Sequence, residues 1–417
     1  MTVSRWRGAG LAVAIFFAFK LALGAAILIA SARWMTVADF AIFSQLLILI
    51  AYLASVGTAG VQNGLIRQIA AANGDAAMIA REVRAALSIW AGVAIVALIG
   101  TSVCRAPISV MLTGAHDVAW AVPWLTLLAM WSGLGQLFCS VLTGTNRVAT
   151  ALSAQAVGLL AGAAPALFLL HLGMPTAAAL AFSGGQGTTT FVAALSIRHI
   201  LAGARRGGDQ LRPEIVRLLG FSGAFLATAS IMPLTLIALR SVYRTAFGLD
   251  ALGYWLAANR ISDVNTQLLG LYMVQAFLPA MAAAPAAEQR RLAIGTAAGA
   301  VCVMALPLAI FLAEPSLVIR TFLSAKFLPA TIFFTSYFLG DALRVGASTA
   351  SFAALAHARL KLYVGIEASA ALLMSGFVIS LIRIGKPQAP AIAYAATYML
   401  IFIAAGLYVL RRRRAAA

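Results

Sequence analysis

Arg260, Asp263 and Gln267 are spaced three and four residues apart within LGYWLAANRISDVNTQLLG (252–270), so a helix presents all three on one face. A second run carries Asp341, Arg344, Ser348 and Ser351 with the order of the charges reversed, Lys20 sits midway along an N-terminal apolar run, and Glu367 lies early in another. A charged side chain at the centre of a membrane helix costs about 2.5 to 3.5 kcal/mol on insertion scales, so such groups face a partner or a wet cavity. Two readings stay open for the close pairs: Arg260 with Asp263 and Asp341 with Arg344 neutralise each other within a helix, or they serve a ligand. Lys20 has no acid in its own span, so its partner is on another helix or in a substrate. Protonating one acid leaves the three bases in excess, as a cavity that receives an anion requires. Arginine takes two phosphate oxygens at once with its planar fork, and lysine acts as a point charge, so a pyrophosphate suits this set.

Sugars need amides, hydroxyls and aromatic rings. Gln45, Gln155, Asn259, Gln267 and Tyr254 are the candidate sugar contacts, and Gln136 and Gln186 add to the amides in or beside the apolar runs. No P-loop and no HExxH is present. His116, His171, His199 and His357 fall at span ends, and Cys104, Cys139 and Cys302 lie far apart, so no metal set, cofactor or disulfide framework is expected.

The elements that hold these residues are hydrophobic spans. Of 417 residues, 62% are hydrophobic and 10% charged, with a mean hydropathy of +0.96, against roughly 25% charged residues in soluble domains. The net charge of +18 comes from short basic segments between apolar runs, not from a clustered soluble face, which excludes nucleic acid as a partner. Spans of about 20 residues fall near 8–30, 40–60, 85–103, 119–143, 148–170, 175–197, 218–239, 251–279, 293–313, 329–355, 362–382 and 388–410, twelve helices in all. The N-terminal run imitates a secretory signal, with Arg5 and Arg7 ahead of it and Ala30-Ser31-Ala32 at its end. It is longer than an h-region of about 7 to 15 residues, so it reads as a retained first span. With the N-terminus inside, cytoplasmic segments hold nineteen Lys and Arg and outer segments eight, which puts both termini in the cytoplasm. The longest outer loop, near Cys104 to Val118, leaves little room for a catalytic domain.

Sliding the chain against itself brings three regions into one ungapped register at an offset of 212: Asp39 onto Ala251, Asn146 onto Ala358 and Pro175 onto Pro387, with Gln155 onto Glu367. This predicts an all-α membrane protein of two six-helix lobes, residues 1–200 and 218–417, joined by a basic linker at 201–217. Six spans per lobe make the repeat parallel, around a central cavity.

The stretches GLIRQIA, LGYWLAANRISDVNTQLL, FLGDALRVGA, RLKLYVGIEASAALLM and AIAYAATYML resemble the Wzx-type polysaccharide flippases of the multidrug/oligosaccharidyl-lipid/polysaccharide exporter superfamily, and within them the branch serving enterobacterial common antigen. The resemblance implies a bacterial inner-membrane flippase, not an enzyme. Its cargo would be an undecaprenyl-pyrophosphate-linked oligosaccharide, either lipid III or an O-antigen or exopolysaccharide repeat unit. This cargo would move from the cytoplasmic to the periplasmic leaflet by alternating access. It further implies surrounding membrane lipid, a polysaccharide polymerase and a chain-length regulator as partners. On this reading Lys20, Arg260 and Arg344 neutralise the pyrophosphate, and Asp263, Asp341 and Glu367 couple an ion or proton. The rival is a cation-coupled multidrug exporter of the same superfamily, for which the buried charge should be dominated by acids.

Overall fold

The computed structural model describes residues 3–58, 60–72, 74–205, 211–273, 277–356 and 359–411. The N-terminal half contains α1 (Val3–Trp34), α2 (Val37–Gly57), α3 (Val61–Ala71), α4 (Ala76–Val103), α5 (Arg105–Thr113), α6 (Ala121–Gly144), α7 (Val148–His171), α8 (Pro175–Gln186), α9 (Thr188–Ser196) and α10 (Arg198–Arg205). Then follow α11 (Arg212–Phe247), α12 (Leu249–Tyr272), α13 (Leu278–Ala283), α14 (Ala286–Ala313), α15 (Pro315–Phe322), a 3-10 turn (Ala325–Ala330), α16 (Thr331–Ala356), α17 (Leu360–Arg383) and α18 (Ala389–Arg411). No strand occurs among the described residues.

Local signals set the boundaries. Thr36 caps α2 by accepting from the Asp39 amide at 3.1 Å, and Asp75 caps α4 by accepting from the Ala77 and Met78 amides at 2.9 and 3.2 Å. α7 and α17 each end in a left-handed glycine, Gly173 at φ +70° and Gly385 at φ +75°, the backbone form that glycine adopts without steric cost. α1 runs unbroken through Ala30-Ser31-Ala32, with Ser31 and Ala32 buried. The span expected at 175–197 is two helices that meet at Gly187, where a Cβ would come within 2.6 Å of the Trp131 ring.

Eight helices among the described residues are long and apolar enough to cross a membrane. Their outward faces are apolar: Ile95, Val96, Ile99 and Val103 on α4, and Val303, Leu306, Ile310 and Leu312 on α14, are exposed. Rows of this kind suit lipid rather than water, and Trp34, Trp120 and Trp124 lie exposed near helix ends, as interfacial aromatics do. The chain is a multi-pass membrane protein.

Two compact units divide the chain, Met1–Pro233 and Leu234–Ala417, and the division falls inside α11. Of the basic linker expected at 201–217, residues 206–210 lie outside the described residues. The first unit builds a core from Leu65 and Ile69 of α3, Val83 and Ala86 of α4, and Leu137, Val141 and Leu142 of α6. In it α8 lies almost backbone to backbone on α7, since a Cβ added at Gly185 would stand 2.2 Å from the Gly162 Cα, and α9 is close to α7 as well, since one at Gly158 would stand 2.0 Å from the Thr189 hydroxyl. The second unit is aromatic at its centre, with Tyr243, Trp255, Phe327, Phe333 and Phe334 fully buried and Phe311 stacked on Phe334 at 4.9 Å.

Candidate functional site

In the second unit, four helices bring charged and aromatic side chains together. Asp341 on α16 is fully buried, and its Oδ1 accepts from the Ser262 hydroxyl of α12 at 2.6 Å and from the Tyr394 hydroxyl of α18 at 2.9 Å. Tyr394 in turn accepts from Arg344 Nη1 at 3.4 Å, and the Arg344 guanidinium lies over the Tyr398 ring at 5.6 Å. One carboxylate and one guanidinium on the same helix are thus joined through a tyrosine of another helix. A glycine makes this possible: at Gly340 a Cβ would stand 2.3 Å from Tyr394 Cδ1, so only a bare backbone lets the ring reach Asp341.

The network continues along α12. Asp263 is hydrogen-bonded by Asn259 and lies in the fields of Arg260, Arg344 and Arg240. Arg240 of α11, 3% exposed, donates to Asn259 Oδ1 at 2.7 Å and stacks over the Trp255 ring at 5.7 Å. Trp255 hydrogen-bonds the Tyr337 hydroxyl and meets Tyr243 edge-on at 5.0 Å. Glu367 on α17 faces the same region, within the field of Arg344 and acting on Tyr398. Three arginines, three acids and a set of tyrosines therefore share one interior. Asp341 Oδ2 and the Nε and Nη1 of Arg240 are buried without a hydrogen-bond partner among the described residues, and such atoms mark places where a ligand or another conformation completes the bonding.

Of the residues expected here, Arg260, Asp263, Asp341, Arg344, Glu367 and Asn259 are brought together. Tyr254 packs edge-on against Phe327 at 6.2 Å, and Gln267 is exposed on α12. The span expected at 218–239 leaves Arg240 among the outer basic residues, whereas α11 runs on to Phe247 and holds it buried. Tyr337 on α16 and Tyr394 and Tyr398 on α18 are likewise not among the residues expected here, although the spacing of four between the α18 pair signals a shared helix face.

The first unit holds a second polar group. A cavity of about 160 Å³ is lined by Phe16 and Lys20 of α1, Ser132 and Gln136 of α6, Gln155 and Leu159 of α7, Gln186 of α8 and Thr189 of α9. α1 rests on α7, and the Thr190 hydroxyl ties α9 to α6 by donating to the Trp131 carbonyl at 2.7 Å. The glycine contacts of α7 with α8 and α9 bring Gln186 and Thr189 beside Gly158, less than one turn from Gln155. Lys20 is exposed and stands among neutral amides, with no carboxylate in the lining. Gln45, by contrast, is fully buried on α2, and neither of its amide atoms has a partner. No group of His, Cys, Asp and Glu able to hold a metal occurs among the described residues; His357 and Gln275 lie outside them.

The chain matches no protein-family profile. It is 25% identical over 384 residues to the lipid III flippase of Escherichia coli (strain K12), covering 89% of this chain and 90% of that protein. The fold is similar to that of an inward-facing multidrug resistance MATE family transporter of the MOP superfamily, at a TM-score of 0.73 and 13% identity over 95% of this chain and 96% of the other. It is also similar to that of the lipid II flippase MurJ in an inward closed conformation, at a TM-score of 0.71 and 14% identity over 96% and 87%. The sequence similarity first visible in the residues around Arg260 and Asp341 thus covers 89% of the chain, and the chain has the fold of the MOP superfamily transporters.

Proposed function

We propose that this protein is a flippase of the bacterial inner membrane that carries an undecaprenyl-pyrophosphate-linked oligosaccharide, such as lipid III or a related polysaccharide repeat unit, from the cytoplasmic to the periplasmic leaflet. The observation that carries the reading is the arginine, carboxylate and tyrosine interior of the second unit. An apolar body that spends this much on buried cations has an anion to receive. Arg260 and Arg344, with Lys20 of the first unit, supply the positive charge that the anionic end of the cargo needs. Asp263, Asp341 and Glu367 are the groups whose ion or proton occupancy biases the inward and outward states, and Gln45, Gln155, Asn259, Gln267 and Tyr254 are the candidates for glycan contact. Similarity to a lipid III flippase over most of the chain points to the same class of cargo.

Alternating access follows from two six-helix lobes and twelve spans, with both termini cytoplasmic. Helix bounds support the repeat: α7 and α17 start and end 212 residues apart, and α2 and α12 start 212 residues apart. The caps agree as well. Met174 donates to the Leu169 carbonyl and Lys386 to Leu381, each pair displaced by that same interval. Cycling requires each state to bind cargo or coupling ion differently, since a ligand held equally by both shifts nothing.

The test is translocation of a fluorescent undecaprenyl-pyrophosphate-linked oligosaccharide in proteoliposomes. Arg344→Gln should lower the rate roughly ten- to a hundredfold, since a hydrogen bond to a charged group is worth about 1.5–3 kcal/mol. Wild-type vesicles that extrude a cationic dye and leave the lipid-linked glycan in place would replace this reading with the multidrug exporter.

A further inference from the structure

The cavity of the first unit differs in chemistry from the arginine interior of the second. Gln136, Gln155 and Gln186 come from three helices, and each side-chain amide offers both donors and an acceptor, the pairing that vicinal hydroxyls and acylamino groups ask for. Phe16 supplies an apolar face for the C–H side of a sugar ring, and Lys20 adds three donors with a positive charge. A diphosphate site would gather guanidinium groups, and no arginine lines this cavity among the described residues. Its volume of about 160 Å³ suits a small group such as one sugar ring.

The geometry points to a glycan subsite in the N-terminal unit: the cavity among Phe16, Lys20, Gln136, Gln155 and Gln186 seats a single sugar ring, with Lys20 selecting a ring that bears an anionic substituent. This rests on the flippase reading for the identity of the cargo, and it narrows the role of Lys20 from the pyrophosphate to the glycan. The diphosphate is then left to the arginines of the second unit. Packing supports a built site. The close glycine contact of α7 and α8 sets the Gln186 backbone against Gly162 and against Gly158, the latter less than one turn from Gln155 on α7.

The experiment uses the full chain in lipid nanodiscs and saturation-transfer NMR with the methyl glycosides of glucose, N-acetylglucosamine and glucuronic acid. Wild type should transfer saturation to these sugars, with the glucuronide preferred on the order of tenfold over the glucoside, as for one charge-assisted hydrogen bond. Lys20→Gln, a change at an exposed position, should remove that preference and keep the neutral sugars. Gln136→Leu combined with Gln186→Leu should weaken all three sugars at least about tenfold, as expected for losing two hydrogen bonds of about 1 kcal/mol each. Arg344→Gln should leave sugar binding intact, and inorganic pyrophosphate, followed by its phosphorus resonance, should lose binding in Arg344→Gln and retain it in the glutamine variant. Sugar signals unchanged in both Lys20→Gln and the glutamine variant, or lost equally in Arg344→Gln, would overturn the assignment. If wild type binds the glycosides yet fails to translocate the lipid-linked oligosaccharide in proteoliposomes, the flippase reading falls and the subsite stands.

Discussion

Gly340→Ala adds a single methyl group and no polarity, yet it should dismantle the link between Asp341 and Arg344. The added Cβ would stand 2.3 Å from Tyr394 Cδ1 and 2.6 Å from Cε1, whereas carbon atoms rest at about 3.5–4.0 Å. Relief requires the ring to move by more than about 1 Å, and the 2.9 Å hydrogen bond from Tyr394 to Asp341 cannot survive such a shift. Losing a hydrogen bond to a charged group costs about 1.5–3 kcal/mol and overpacking about 1–3 kcal/mol. These overlap, because the displacement that relieves the clash is what breaks the bond. Against them stands the helix preference of Ala over Gly, about 1 kcal/mol. The net expectation is destabilisation by about 1–3 kcal/mol, read as a lowered midpoint of thermal unfolding in detergent, together with a loss of translocation. A double-mutant cycle isolates the cause: in a Tyr394→Ala background the methyl has nothing to strike, and Gly340→Ala should become neutral or stabilising. A Gly340→Ala protein at least as stable as wild type would show that helix propensity rules at this position and that the Tyr394 contact is loose.

The other expectations concern the same two interiors. Gly185→Ala should be the most damaging small change in the first unit, because its Cβ would meet the Gly162 backbone rather than a movable side chain; loss of folded protein on size-exclusion chromatography checks it. Tyr398→Phe keeps the ring under Arg344 and should cost less than about 0.5 kcal/mol of stability, whereas Tyr398→Leu removes a cation–π contact worth about 0.5–2 kcal/mol, a difference that paired thermal unfolding curves resolve. On the cytoplasmic side of the proposed topology, Glu82 of α4 is buried and pairs with the half-exposed Arg217 of α11. Arg217→Ala strands a buried carboxylate and should destabilise the protein more than Glu82→Gln does, measured as the difference in unfolding midpoint between the two variants.

The all-helical character was legible in the sequence because membrane helices announce themselves by length and composition, while eight helices among the described residues meet that standard against the twelve spans expected. The expected span at 148–170 is α7, and that at 362–382 is the body of α17. Boundaries set by packing were less visible. The 175–197 span divides at Gly187, where the Trp131 ring occupies the space a side chain would need, a contact between residues far apart in sequence. In the site, the charged residues stood out against apolar neighbours, but their partners did not. Tyr394 and Tyr398 read as ordinary members of an apolar span, and Arg240 read as a loop cation, although the first two complete the Asp341 and Arg344 network and the third is one of its buried bases. Lys20 gave no sign of its neighbours. The contact of α1 with α7 joins it to Gln155, and no local spacing encodes that.

On the proposed repeat, the contrast between Gln155 and Glu367 explains how one scaffold came to serve two chemistries. The two residues occupy equivalent places on α7 and α17, helices with the same length and the same glycine cap, so the backbone demands on them are alike. Their surroundings are not. Gln155 faces Lys20 and other amides, where a carboxylate would capture the ammonium and withdraw it from any ligand. Glu367 faces Arg344, a guanidinium already engaged with Tyr394 and Tyr398, so an acid there balances charge without silencing the only cation. Hydrogen bonds of the backbone fix where each helix begins and ends, and these are shared; the side chains that meet the cargo were free to part company. An amide beside a lone lysine and a carboxylate beside clustered arginines are each the choice that leaves a positive charge available in its own unit, which is the condition that the proposed carriage of an anionic glycolipid sets for both.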